Sequence, residues 1–112
     1  MKKKELIQKI EHIVFNEKGL VPCIVQSSGN NDVLMLAWMS KKTLFMTIDS
    51  GYATYWSRSR DEIWVKGQSS GNKQKVNEIM IDCDKDCVLL KVDQKGVACH
   101  TGEWSCFFNQ LH

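Results

Sequence analysis

Residues 79–92 read "IMIDCDKDCVLLKV". Two runs of strand-forming apolar residues flank six positions, 82–87, that hold three carboxylates and two thiols. If residues 79–84 are extended, side chains alternate between faces. Asp82 and Asp84 then share one face, with Asp86 joining them if the strand continues, while Cys83 points the other way with Ile79 and Ile81. Like charges at period two repel one another and need a cation or full exposure to water. Carboxylate oxygens suit Mg²⁺ or Ca²⁺ and a thiolate suits Zn²⁺, so opposite faces point to two metal sites, one for each ligand class. The competing reading is a solvated acidic turn screened by Lys85.

Working outward, "YATYWS" (52–57), "IWVK" (63–66), "NEIMID" (77–82), "CVLLKV" (87–92) and "GVAC" (96–99) are short strand candidates between polar turns. Upstream, residues 20–26 and "VLMLAWM" (33–39) flank the turn "SSGNND" and predict a hairpin, with Pro22 near its strand start where a missing N–H matters least. Leu6, Ile7, Ile10, Ile13 and Val14 recur at helical spacing, which predicts an amphipathic helix over 3–17 stopped by Gly19. Ser40 is placed to cap a short helix over 41–49 that Ser50-Gly51 ends. The expected fold is a compact α+β domain: a mainly antiparallel or mixed sheet with an N-terminal helix and one short helix packed on it.

At 112 residues the chain is read as one domain, 1–112, able to bury a single core. A net charge of +2 is too small to announce nucleic acid or a membrane surface as a partner. Glu5, Gln8 and Glu11 interrupt the apolar residues of the N-terminus, which excludes a signal peptide, and no stretch reaches the length of a membrane span. A cytoplasmic location is therefore expected, where thiols stay reduced and five cysteines serve as ligands, reactive groups or core residues.

The C-terminal "ACHTGEWSCFF" adds Cys99 and Cys106, with His100 beside the first. Together with Cys83 they offer three thiolates, and three protein ligands leave a tetrahedral zinc one open position, the usual form of a catalytic site. The spacing is unspecific, because no CxxC occurs, and buried free cysteines remain the alternative. Cys23 and Cys87 are read as apolar strand residues.

Three segments, "SRSRDEIWVKGQSSGN", "IDCDKDC" and "ACHTGEWSCFF", together closely resemble phosphoribosyl-AMP cyclohydrolases of histidine biosynthesis. The opening "GLVPCIVQ…VLMLAWMS" also looks like that family's first hairpin, so the resemblance covers residues 19–108 and leaves the helix of residues 1–18 outside. Gln68 stands where the family pattern has an acidic residue, and Cys87 where it has alanine. By position, the resemblance implies that Asp82, Asp84 and Asp86 hold Mg²⁺ and that Cys83, Cys99 and Cys106 hold Zn²⁺, one ion of each per subunit. It implies an intertwined homodimer in which Cys83 reaches the zinc from the partner subunit.

The implied reaction is hydrolytic opening of the purine ring of N1-(5-phosphoribosyl)-AMP at the N1–C6 bond. The product keeps the exocyclic nitrogen as a carboxamide, in a phosphoribosyl-formimino aminoimidazole carboxamide ribotide, at the third step of the pathway. Nucleobase deaminases expel that nitrogen, and their His-x-Glu…Pro-Cys-x-x-Cys signature is absent here. His100 is the candidate for proton transfer, with a role as metal ligand as its alternative. Arg58, Arg60, Lys66 and Lys73, with Ser69, Ser70, Gly71 and Asn72 of the "QSSGN" loop, are candidates for the substrate's phosphates, and Mg²⁺ could bridge phosphate or hydroxyl oxygens. Trp56 and Trp64 read as core, with stacking on the base as their alternative, and His12 and His112 as solvated bystanders. A small zinc-stabilised module binding nucleic acid or protein is the alternative from a different class.

Overall fold

The computed structural model describes residues 2–112. The elements run α1 (Lys3–Glu11), β1 (Leu20–Ser27), β2 (Val33–Ser40), α2 (Lys41–Ser50), β3 (Thr54–Ser57), β4 (Glu62–Val65), β5 (Gln74–Ile81) and β6 (Val88–Gln94). They build a mixed four-stranded sheet of order β2-β1-β6-β5 and a separate β3–β4 ribbon. The α+β architecture with two helices is as the sequence predicted.

Local signals worked best where capping was explicit. The Ser40 side chain accepts from the Thr43 amide while Thr43 answers to the Ser40 backbone, and Gly51 ends α2 in the left-handed conformation at φ 78°. The β1–β2 hairpin forms with Leu20 opposite Ser40. Pro22 is tolerated because the parallel pairing of β1 with β6 begins only at Cys23.

Two expectations fail for a common reason. The N-terminal helix stops at Glu11 rather than 17, because the Val14 amide donates to the Lys85 carbonyl at 2.7 Å and leaves the helical path. Gly19 instead shapes the turn into β1, at φ 74°. "GVAC" is not a strand: the Ala98 and Cys99 amides donate to the carbonyls of Trp104 and Glu103, closing a C-terminal loop. In both places a non-local partner takes the amide that local propensity assigned elsewhere.

The core lies on one face of the sheet, where Val21, Cys23, Val25, Val88, Leu90 and Val92 are fully buried against Leu44 of α2 and Ile10 of α1. Cys23 is thus a core residue, and Cys87 is half-buried. On the opposite face Leu36, Ile24, Leu89 and Met80 align across all four strands, and Leu36 and Met80 remain about half exposed, at 50% and 53%. Among the described residues no helix is long and apolar enough to cross a membrane.

Candidate active site

The acidic segment is a turn. Strand β5 ends at Ile81, and residues 82–87 reverse the chain into β6. Asp82 organises the reversal: its Oδ1 accepts from the amides of Asp86 (3.0 Å) and Cys87 (3.2 Å), and its carbonyl from the Lys85 amide (3.1 Å). Lys85 takes a left-handed φ of 65°. The expected strand over 79–84, with carboxylates and Cys83 on alternate faces, is therefore corrected, since the Asp82 carboxylate captures the amides that extended pairing would have used. The convergence survives by another route: Asp82, Asp84 and Asp86 bring ligand oxygens within 4.8 Å of one another, all exposed.

Crowding shows in their protonation. Asp86 is pushed up to about 6, first by its hydrogen bond to Asp84, then by lost solvation and the charges of Asp84 and Asp82. Asp82 is held below the usual carboxylate range; lost solvation raises it, but the Asp86 amide, Asp84 and the Cys87 amide outweigh that. Without a cation, the crowding thus makes the trio take up its first proton near pH 6, mainly on Asp86.

Cys99 and Cys106 form a second cluster. Cys99 is buried in the loop after β6, and the Thr101 hydroxyl donates to its sulfur at 3.0 Å. The Cys106 amide donates to the Leu34 carbonyl of β2 at 2.7 Å, which brings its thiol near enough to Cys99 for each to shift the other's proton affinity. Thr101, through its hydroxyl and then its amide, lowers the Cys99 thiol, whereas burial and then Cys99 raise Cys106. Thr101 escaped the sequence reading; a threonine two positions after a cysteine was the available signal.

Lys66 belongs to this cluster rather than to the exposed loop. The residue is 6% exposed, its ammonium is 5.6 Å from the Trp64 ring centroid, and the thiols of Cys106 and Cys99 lie within electrostatic reach. Burial lowers its pKa, and the two thiols oppose the shift. Trp64, expected in the core, is 39% exposed and supports Lys66, while Trp56 is half-buried.

Cys83 is exposed on the acidic turn and does not come within 4.8 Å of both Cys99 and Cys106 in this chain. The pairings Ile81–Val88–Cys23–Ala37 define one row across the sheet. Cys83 lies beyond that row at the β5 edge, and Leu34, which holds Cys106, lies before it at the β2 edge. Strand geometry puts them roughly 16 Å apart along the strands and roughly 14 Å across. They occupy diagonal corners.

The other candidates divide. His100 is exposed between Cys99 and Thr101. Arg58 lies in the β3–β4 turn with its guanidinium 4.4 Å over the Trp38 ring, and Arg60 is exposed in the same turn. Ser69 is exposed, the Ser70 hydroxyl accepts from the Asn72 amide at 3.1 Å, and the Gly71 amide returns to the Gly67 carbonyl at 2.8 Å. Gly67 must be glycine: at φ 79° an added Cβ would meet the Asn72 and Lys73 backbone at 2.6 Å. His12 bonds the Gln8 carbonyl on α1, and His112 is exposed at the terminus.

Comparison with known proteins bears on the same residues. A family model described as phosphoribosyl-AMP cyclohydrolase matches residues 35–108, a span that includes the acidic turn and the thiol pair. A protein of that name from Chlorobium phaeobacteroides is 51% identical over 113 residues, covering 99% of this chain and 82% of its own length. Those from Herminiimonas arsenicoxydans and Chlorobium limicola are 56% and 55% identical, covering 91% and 90% of this chain and 77% and 74% of theirs. With matches running through both clusters and nearly the whole length, the chain belongs to the phosphoribosyl-AMP cyclohydrolase family.

Proposed function

We propose that the protein is a metal-dependent phosphoribosyl-AMP cyclohydrolase of histidine biosynthesis that opens the purine ring of N1-(5-phosphoribosyl)-AMP at N1–C6. The observation that carries this reading is the grouping of Cys99 and Cys106, two thiols with split proton affinities, with the buried Lys66 ammonium within electrostatic reach of both.

The donor sets fit two different ions. Cys99 and Cys106 would hold zinc with the partner subunit's Cys83, a soft set suited to Zn²⁺, and Asp82, Asp84 and Asp86 would hold Mg²⁺. When bound, zinc held by these thiolates would supply Lewis acidity at the reaction centre. The diagonal placement of Cys83 favours a homodimer, since one chain leaves it far from the pair. The uncovered row Leu36–Ile24–Leu89–Met80 is apolar surface that a second copy would remove from water.

Hydrolysis forms a bond from a water oxygen to C6 and breaks C6–N1, so a proton leaves the attacking water and one arrives at N1. His100, exposed next to Cys99, would carry it. Lys66 offsets negative charge gathered at the thiols, and its burial keeps water from screening it. Arg58, pinned on Trp38, and the cross-tied loop 67–72 present fixed donors for phosphate oxygens.

The test is purified protein with the cyclic substrate, followed by absorbance as the ring opens, with metal content measured in parallel. Cys106→Ser is expected to lose both zinc and turnover. Full activity in that variant would remove the thiol cluster from the mechanism.

A further inference from the structure

A cavity of about 430 Å³ opens at the end of the sheet where β5 begins and β6 ends, lined among others by Tyr52, Lys73, Lys75, Asp93 and Lys95. Its volume is in the range of small-ligand sites. Three lysines face one carboxylate, and among the described residues the ion pairs are Lys41–Glu11 and Lys91–Glu78, so none of the three is neutralised by a salt bridge. Asp93 stands opposite Lys75 in the β5–β6 register and offsets one of the three, and the remaining excess of like charge favours a bound anion.

The walls are fixed by backbone bonds. Tyr52 bridges to Lys75, the Ala53 amide donates to the Gln74 carbonyl at 3.0 Å, and the Lys95 amide to the Lys73 carbonyl at 2.9 Å. The Lys73 ammonium is held 5.6 Å from the Tyr52 ring centroid, which leaves an aromatic flank beside the charge. The backbone around the cavity is thus preset, and only the exposed lysine side chains have to order when an anion enters.

The cavity also lies close to the thiol cluster. Lys95 is four residues before Cys99, so their backbones are no more than about 14 Å apart. A ribose 5-phosphate arm together with a lysine side chain spans that gap.

We propose that this cavity is a ribose 5-phosphate pocket, in which Lys73, Lys75 and Lys95 bind the phosphate and the Tyr52 ring packs on the sugar. The proposal rests on the cyclohydrolase reading for its substrate, which carries two such arms, and it assigns one of them to the lysines of β5 and β6 beside Gly71, at the edge of the "QSSGN" loop.

The experiment is equilibrium binding of ribose 5-phosphate and of AMP, with adenosine as the phosphate-free control, to wild type and to the double variant Lys75→Gln/Lys95→Gln. Both phosphorylated probes are expected to weaken at least tenfold and adenosine to be unaffected, with KM for the cyclic substrate rising by a similar factor and kcat moving less. Lys75→Arg/Lys95→Arg keeps the charge and is expected to restore most of the binding, which separates anion recognition from a folding defect. Unchanged affinity in the glutamine variant, an equal loss for adenosine, or arginine variants no better than glutamine would overturn the pocket. Binding of ribose 5-phosphate needs no turnover. Lysine-dependent binding by a protein inactive on the cyclic substrate would therefore support the pocket and sink the cyclohydrolase reading; turnover without lysine-dependent binding would sink the pocket alone.

Discussion

The Thr101 hydroxyl donates to the Cys99 sulfur at 3.0 Å, and this bond leads the causes that lower the thiol's pKa. Removing it with Thr101→Val is expected to raise the pKa of Cys99, so that less thiolate is present at neutral pH. In metal-stripped protein, disulfide-exchange labelling of Cys99 near pH 7 should slow by a factor on the order of five, the scale of one hydrogen bond. An unchanged rate would show that the backbone amide alone sets the thiol's acidity.

Asp86 binds its proton more tightly folded than unfolded, with a pKa near 6 against an ordinary 3.8. Between those values the folded protein holds more protons, so this group makes stability fall as pH rises through that window. In metal-free protein, Asp86→Asn is expected to gain thermal stability relative to wild type from about pH 4 to pH 6 and to hold that gain above. Adding Mg²⁺ at pH 7 should raise the melting temperature of wild type more than that of the variant. A difference between the two proteins that is flat with pH would refute the raised proton affinity of Asp86.

Gly67 and Gly71 both have positive φ, 79° and 81°, yet only Gly67 faces backbone at 2.6 Å, while nothing lies within 4 Å of a Cβ at Gly71. Gly71→Ala is expected to cost about 1–2 kcal/mol from conformation alone. Gly67→Ala adds a backbone clash and should cost at least about 2 kcal/mol more than that baseline would suggest for an open site. Denaturant unfolding of the two variants gives the ranking directly, and equal losses would contradict it.

Tyr55 is fully buried and donates to the Gln74 Oε1, whose amide in turn donates to Gln94 Oε1 at 2.8 Å. Gln94 then donates to the carbonyls of Lys95 (2.8 Å) and Asn72 (3.2 Å), which ties the core to the loop below Lys66. Tyr55→Phe leaves a buried carbonyl oxygen short of a donor and is expected to cost about 1–3 kcal/mol in denaturant unfolding. A near-neutral result would mean that water enters to replace the hydroxyl.

Cys83 and the Cys99–Cys106 pair occupy diagonal corners of one sheet. Chains carrying Cys83→Ala and chains carrying Cys99→Ala should each be inactive, and mixing them under subunit exchange should recover a fraction of wild-type turnover. Verified heterodimers with no recovery would exclude a site assembled across subunits.

The sequence by itself determined what nearest neighbours decide. Ser40 and Gly51 bound α2 because a cap needs only residues within a few positions, and the polar run at 27–32 makes a hairpin for the same reason. The motifs around Asp82, Cys99 and Cys106 were long enough to carry the family as well. Only the tertiary structure decided the rest. Val14 leaves its helix because Lys85 offers a carbonyl, Lys66 turns inward where the C-terminal loop brings two thiols within electrostatic reach, and Lys75 and Lys95 line one cavity because β5 and β6 pair in one register. These outcomes depend on groups far apart in the chain, whose competition for a single amide or a single volume no local pattern records.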